Sequence, residues 1–181
     1  MDAIHELRLE LVGGDALEAG TRAEIVALCD RAYERDMAPY FEVLLSQTHV
    51  IASLDGVVVS HAMWVTRWLQ IGFRPLLKTA YVEMVATEPE YQRRGYAASV
   101  MRLLAESITG FEIGALCPSD AGVALYPRLG WEPWRGPLFI RGSHEVIPTP
   151  EERVMVLRLP GTPELDLDAP LSAEWREGEL W

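Results

Sequence analysis

Gln92-Arg93-Arg94-Gly95-Tyr96-Ala97 stands between a strand-like run, Leu77 to Thr87, and a run in which Ala97, Val100, Met101, Leu104 and Ile108 repeat at helical spacing. Between the strand and the motif, Glu88-Pro89-Glu90-Tyr91 carries a proline that stops the strand. A helix start exposes unpaired backbone N–H groups and a partial positive charge, which suits a diphosphate. Gly95 permits close backbone approach, Ala97 keeps the first turn uncrowded, and Arg93 and Arg94 can add charge-assisted bonds to phosphate. Taken alone, the six residues fit equally well a basic helix start with solvated arginines. Their context has to decide.

Upstream, Ile4 to Leu11 alternates apolar and polar as a strand does, and Thr21 with Glu24 forms a capping box that predicts a helix reaching about Asp36. A short helix is expected after Pro39. His49 to Leu54 and Val57 to Trp68 are β-rich runs separated by Asp55-Gly56, a strong hairpin signal, and a turn at Gly72 to Pro75 returns the chain into Leu77. Downstream, Gly110 suits a helix cap, Phe111 to Leu116 reads as a short strand, and Asp120 to Leu129 reads as a second helix closed by Gly130. Pro-rich turns follow Trp131, then a strand from Arg153 to Leu159 and a tail from Gly161 to Trp181. No internal repeat or linker interrupts this pattern. The expectation is one α+β domain over residues 1–181, with a core at about 4–160 and a mixed, mostly antiparallel central sheet flanked by helices.

A formal net charge of -11 repels nucleic acid and anionic lipid, and would attract a polycationic ligand. Many proteins are acidic merely for solubility, so where the charge lies matters more than its total. The N-terminus lacks a signal-peptide pattern and no stretch reaches the roughly 18 apolar residues of a membrane span, so a soluble, cytoplasmic protein is expected. Cys29 and Cys117 make no metal-type spacing and are expected as free thiols, with no metal bound. His5, His49, His61 and His144 are scattered, with none placed to activate Cys117, and His61 on an apolar strand reads as structural.

The order strand, Gln92-x-x-Gly95-x-Ala97, helix, strand, then Tyr126-x-x-x-Gly130-Trp131 resembles the Gcn5-related N-acetyltransferase superfamily, whose corresponding loop binds the pyrophosphate of coenzyme A. Three further stretches are similar to the aminoglycoside 2'-N-acetyltransferases. They are Tyr81-Val82-Glu83-Met84-Val85-Ala86, Leu125-Tyr126-Pro127-Arg128-Leu129-Gly130-Trp131-Glu132-Pro133-Trp134, and the ending Glu174-Trp175-Arg176-Glu177-Gly178-Glu179-Leu180-Trp181.

The resemblance implies a sheet splayed at the acetyl-CoA site. It implies that Val85, Ala86 and Thr87 supply backbone partners to the pantetheine arm, and that Gln92, Arg93, Arg94, Gly95, Tyr96 and Ala97 hold the pyrophosphate. It also implies that Glu83 accepts a proton from the amine, through water, and that Tyr126 protonates the departing thiolate. A phenol near 10 serves that purpose if the site lowers its pKa. Asp36, Glu83, Met84, Cys117, Glu151, Glu152, Glu179 and Trp181 would line the acceptor pocket, Met84 through its backbone and Trp181 through a terminal carboxylate. The partner implied is an aminoglycoside or another polycationic amine, and the assembly a homodimer. Two departures stand out: Cys117 replaces a small hydroxyl residue, and no second acid follows Asp36 before Glu42. Two other readings stay open, transfer to a different small amine or peptide, and a module that binds without turnover.

Overall fold

Asp55 and Gly56, at φ of 50° and 83°, form the predicted hairpin turn in the computed structural model, which describes residues 6–178, 180 and 181. The turn joins β2 (Thr48–Leu54) to β3 (Val57–Ile71), and β1 (Leu7–Gly13) pairs antiparallel with β2. The chain divides into two units that are not consecutive stretches, because β3 and β4 (Leu77–Thr87) each contribute residues to both.

One unit comprises the chain up to Val65 together with Glu83–Ser107. It contains β1, β2, the first part of β3, the last part of β4, and the helices α1 (Ala19–Tyr33), α2 (Ala38–Val43) and α3 (Tyr96–Ser107). Ile25 and Leu28 of α1, Phe41 of α2, Val50 and Met63 of the hairpin, and Leu104 of α3 are buried in it. The predicted capping box does not cap: α1 begins at Ala19, and the Glu18 carbonyl accepts from Arg22 N at 2.9 Å. The extended backbone of Glu18 already sets the helix start, which leaves Thr21 inside the first turn. At the other end Glu34 turns left-handed, so α1 stops short of Asp36.

The second unit comprises Thr66–Val82 and Ile108–Trp181. Its further strands are β5 (Ile113–Leu116), β6 (Glu132–Pro133), β7 (Leu138–Arg141), β8 (Val146–Pro148), β9 (Met155–Arg158) and β10 (Leu171–Glu174), and its strand order is β6-β9-β5-β4-β3-β10-β7-β8. The pairs β4–β5 and β10–β7 are parallel, whereas β5–β9, β6–β9, β10–β3 and β7–β8 are antiparallel. The expectation of a mixed, mostly antiparallel sheet holds. Three local expectations do not. Asp120 to Leu129 is a series of turns ending in a 3-10 helix over Tyr126–Leu129, since Pro127 has no N–H to donate and Gly122 gives its N–H to the Ser119 hydroxyl at 3.2 Å. The turns expected after Trp131 contain β7 and β8, and the expected tail contains β10.

Both cysteines are free, Cys29 buried and Cys117 partly exposed. No helix among the described residues is long and apolar enough to cross a membrane. The histidines are less scattered than the sequence suggests. The β2–β3 register sets Ile51 opposite His61 and His49 opposite Met63, which brings the two buried rings within 3.0 Å, His49 Nδ1 to His61 Nε2. His61 Nδ1 lies 2.9 Å from the Met84 carbonyl, which can only accept, so His61 is protonated on Nδ1 and His49 donates to its Nε2.

Burial holds both rings neutral, pushing His49 down to about 4 and His61 down to about 3, each ring being further disfavoured as a cation by a neighbour, Arg22 for His49 and His49 for His61. Below about 6.5 the unfolded chain takes up these protons and the folded chain does not, so stability falls as pH drops towards about 4. Each ring contributes at most about 1.4 kcal/mol per pH unit in that window. Urea unfolding from neutral to mildly acid pH should show this slope, reduced by about half in His49→Phe; an unchanged slope would contradict the neutral pair.

Candidate active site

In the first unit the site is built on the end of β4. Pairing of β4 with β5 runs from Thr79↔Ile113 to Val82↔Leu116, and no further pair with β5 follows among the described residues. Met84 takes a positive φ of 52°, a rare conformation for a side chain of this size and a break in the strand's regular pleat. The carbonyls from here onward are held one after another by side chains. Met84 O faces His61 at 2.9 Å, Val85 O accepts from Tyr33 Oη at 3.0 Å, Ala86 O from Ser60 Oγ at 3.0 Å, and Thr87 O from Gln92 Nε2 at 3.3 Å. Ser60 Oγ also meets Thr87 Oγ1 at 2.8 Å. Glu83, at the start of this segment, is half-buried with its Oε1 hidden from solvent.

Beyond Thr87 a 3-10 turn over Pro89–Tyr91 leads to the exposed residues Gln92, Arg93, Arg94 and Gly95, with Arg93 at φ 62° and Gly95 at φ 91°. These left-handed residues turn the chain into α3, whose first bond is Ser99 N to Gly95 O at 3.0 Å. The backbone N–H groups of the first turn are therefore presented at the loop. A Cβ added at Gly95 would meet nothing within 4 Å, so the space is open and only the backbone conformation demands glycine. Arg94 lies over the Tyr91 ring at 5.3 Å, Tyr91 packs edge-on to Tyr96 at 6.1 Å, and Arg31 pairs with Glu88 at the foot of the loop. Tyr96 and Ala97 form the first turn of α3.

Asp36 is exposed, and its Oδ1 accepts from Ala38 N at 3.1 Å at the start of α2, a local cap that leaves the rest of its carboxylate in solvent.

The second unit gathers most of the remaining candidates. Cys117 follows the last residue of β5, and its Sγ lies 3.6 Å from Glu152 Oε2. Glu152 N donates to Thr149 O at 3.2 Å, and the Thr149 hydroxyl accepts from the indole Nε1 of Trp181 at 2.8 Å. Trp181 is only 5% exposed. Glu151 and Glu152 are exposed acids, and Thr149 and Glu152 also border a groove of about 340 Å³ shared with Phe139, Pro148 and Arg153. Glu179 lies outside the described residues.

Tyr126 is buried edge-on against Trp131, with ring centroids 6.2 Å apart. Burial, and secondarily Cys117, pushes its phenol up to about 12, so the site raises this pKa where the expected acid called for a lowered one. Tyr126 keeps its proton at neutral pH and can donate it in a hydrogen bond. Among the described residues no group of three or more His, Cys, Asp or Glu side chains could hold a metal ion.

Sequence reading missed the His49–His61 pair, Thr149 and Arg67. The first required the strand register. Thr149 carries no signal of its own. Arg67 did leave one, an arginine in phase with Val65, Leu69 and Ile71 on the buried side of β3.

Comparison with known proteins adds to this geometry. Residues 15–134 match the family model described as an acetyltransferase (GNAT) domain. An aminoglycoside 2'-N-acetyltransferase from Mycolicibacterium fortuitum is 31% identical over 98% of this chain and 93% of its own length. A GNAT family N-acetyltransferase from Escherichia coli, solved in complex with CoA, aligns over 98% of this chain and 93% of its own with a TM-score of 0.65 at 18% identity, so the fold is GNAT-like. Eis1 from Mycobacterium abscessus aligns with a TM-score of 0.58 at 19% identity over 70% of this chain, which spans 31% of that longer protein.

The carbonyl clamps along β4 give a direct test. Ser60→Ala removes a buried hydroxyl that serves both Ala86 and Thr87, and should cost about 1–3 kcal/mol. Ser99→Ala, whose exposed hydroxyl bonds only to the turn before it, should stay within about 0.5 kcal/mol of the parent. Equal losses in chemical denaturation would contradict the clamp.

Proposed function

The chain belongs to the GNAT acetyltransferase family, and on that premise we propose that it transfers acetyl from acetyl-CoA to the 2'-amino group of aminoglycosides, directly, in a ternary complex. The observation that carries this reading is the near full-length similarity to an aminoglycoside 2'-N-acetyltransferase. Loop chemistry supports the donor: exposed arginines, a left-handed Gly95 and the open first turn of α3 make a diphosphate cradle. Val85, Ala86 and Thr87 offer backbone groups to the pantetheine arm as an added strand. The Val85 carbonyl already accepts from Tyr33, and its second lone pair serves the arm.

The amine lone pair attacks the thioester carbonyl carbon, the amine proton passes through water to Glu83, and the carbon–sulfur bond breaks to release thiolate. Tyr126 donates a hydrogen bond and then its proton to that sulfur. A phenol near 12 is a weaker acid than an ordinary thiol near 8.5, so the transfer needs a site that also raises the basicity of the sulfur, as dry surroundings do. On the acceptor side, Asp36, Glu151 and Glu152 supply solvated carboxylates suited to a polyamine, with Met84 contributing backbone and Cys117 and Trp181 surface. Solvated acids draw in a cation without the full cost of burying charge. Antibiotic resistance, homodimeric assembly and a cytoplasmic location belong to the same proposal.

Incubation with acetyl-CoA should acetylate 2'-amino aminoglycosides and leave 2'-hydroxy ones untouched; inactivity on both overturns the acceptor. Glu83→Gln and Tyr126→Phe should lower kcat about 10²–10⁴-fold with acetyl-CoA affinity nearly unchanged. Gly95→Val should weaken CoA binding about tenfold or more, because a β-branched residue at a φ of 91° carries about 1–3 kcal/mol of strain. Unaltered CoA affinity in that variant would refute the loop assignment.

A further inference from the structure

Arg67 is a charged side chain in a place that ordinarily excludes one. It lies on the buried face of β3 and is 1% exposed. Its guanidinium reaches the last strand and the segment after it. Nη2 donates to the Glu174 carbonyl at 2.6 Å, Nη1 donates to the Leu180 carbonyl at 2.8 Å, and Nε lies 3.5 Å from Glu174 Oε1. The other oxygen of that carboxylate accepts from Trp68 N at 3.2 Å, and the Tyr81 ring lies 4.9 Å from the guanidinium carbon. The residue after Leu180 is Trp181, whose indole is fixed to Thr149 at 2.8 Å, and Thr149 in turn holds Glu152.

We propose that Arg67 is the positioning residue of the acceptor end: by gripping the carbonyls of Glu174 and Leu180 it sets Trp181 against Thr149. The two carbonyls belong to residues six apart in the chain, and one rigid planar fork bonds both. Between them Trp175 is 57% exposed, its N–H held by the Arg141 carbonyl at 2.9 Å, and Arg176 lies over the Tyr81 ring at 5.5 Å. A buried ion is retained only where its bonds are made. Lysine keeps the charge but cannot reproduce the fork. The inference rests on the reading that Trp181 serves the acceptor, and it adds a residue that touches neither substrate.

The test uses the full chain, with Arg67→Lys and Arg67→Met compared with the parent by hydrogen exchange with mass spectrometry and by steady-state kinetics. Exchange across residues 175–181 should quicken about ten- to a hundredfold in both variants, while peptides from β2 and α3 stay as protected as in the parent. KM for a 2'-amino aminoglycoside should rise about tenfold or more, with KM for acetyl-CoA within about twofold. Unchanged exchange at 175–181 in both variants overturns the grip. Faster exchange there with an unmoved acceptor KM overturns the role of the grip in the acceptor site, and absence of any turnover in the parent overturns the acceptor reading while exchange still decides the grip. Should Arg67→Met fail to fold, Arg67→Lys and Glu174→Gln decide the same question.

Discussion

The constraint on which the site depends is the bond between a buried neutral histidine and the carbonyl of a left-handed residue. Met84 must turn out of regular strand geometry, and His61 fixes its carbonyl at 2.9 Å from within the core. His61 does so through a protonated Nδ1, while burial keeps its ring uncharged and the neighbouring His49 donates to the other nitrogen. A single residue in a sparsely populated conformation costs on the order of 1–3 kcal/mol and persists only where its surroundings over-determine it. Here four successive carbonyls, from Met84 to Thr87, are each fixed by a side chain. The segment that leaves its partner strand after Val82 is thus held in place without a complete ladder.

That arrangement explains which features could be read from the sequence. Signals confined to a few neighbouring residues were legible: the Asp55-Gly56 turn, the proline that ends β4, and the Gln92 to Ala97 loop opening α3. Their physics is local, a positive φ or a missing N–H. The Met84 turn was not legible, because methionine carries no preference for that conformation and the cause lies in His61, twenty-three residues away. The same holds for β10, four residues long, whose partners are β3 and β7. Strands so short are specified by their neighbours more than by their own composition. The helix expected from Asp120 to Leu129, closed by Gly130, shows the converse error, since Gly122 and Pro127 do not support it.

The resemblance assigns Tyr126 to the departing thiolate and Cys117, Glu152 and Trp181 to the acceptor pocket; in the second unit Cys117 lies against Glu152, Glu152 N bonds Thr149, Thr149 bonds Trp181, and Cys117 adds to the upward push on the Tyr126 phenol. What the sequence could not give was the electrostatics. A tyrosine expected to be a tuned acid is instead held protonated by burial. For the proposed role of Tyr126, this favours a hydrogen-bond donor over a group that ionises on its own.

The overall acidity of the chain can now be divided by place. Asp36, Glu151 and Glu152 are exposed to solvent, where the proposed polycationic acceptor would meet them without the full cost of burying charge. Several arginines are committed to partners within the fold. Arg31 is engaged by Glu88, Arg153 by Asp120, Arg135 by Asp168, and Arg67 by Glu174 and two carbonyls. Each ion pair takes one carboxylate with one guanidinium, and the surplus of acids over bases, 27 against 16, remains in the other carboxylates. The proposed acceptor chemistry requires no large negative field from any one residue. It requires that the arginines be spent on holding the fold, and Arg67, buried and bonded to backbone, is the clearest instance.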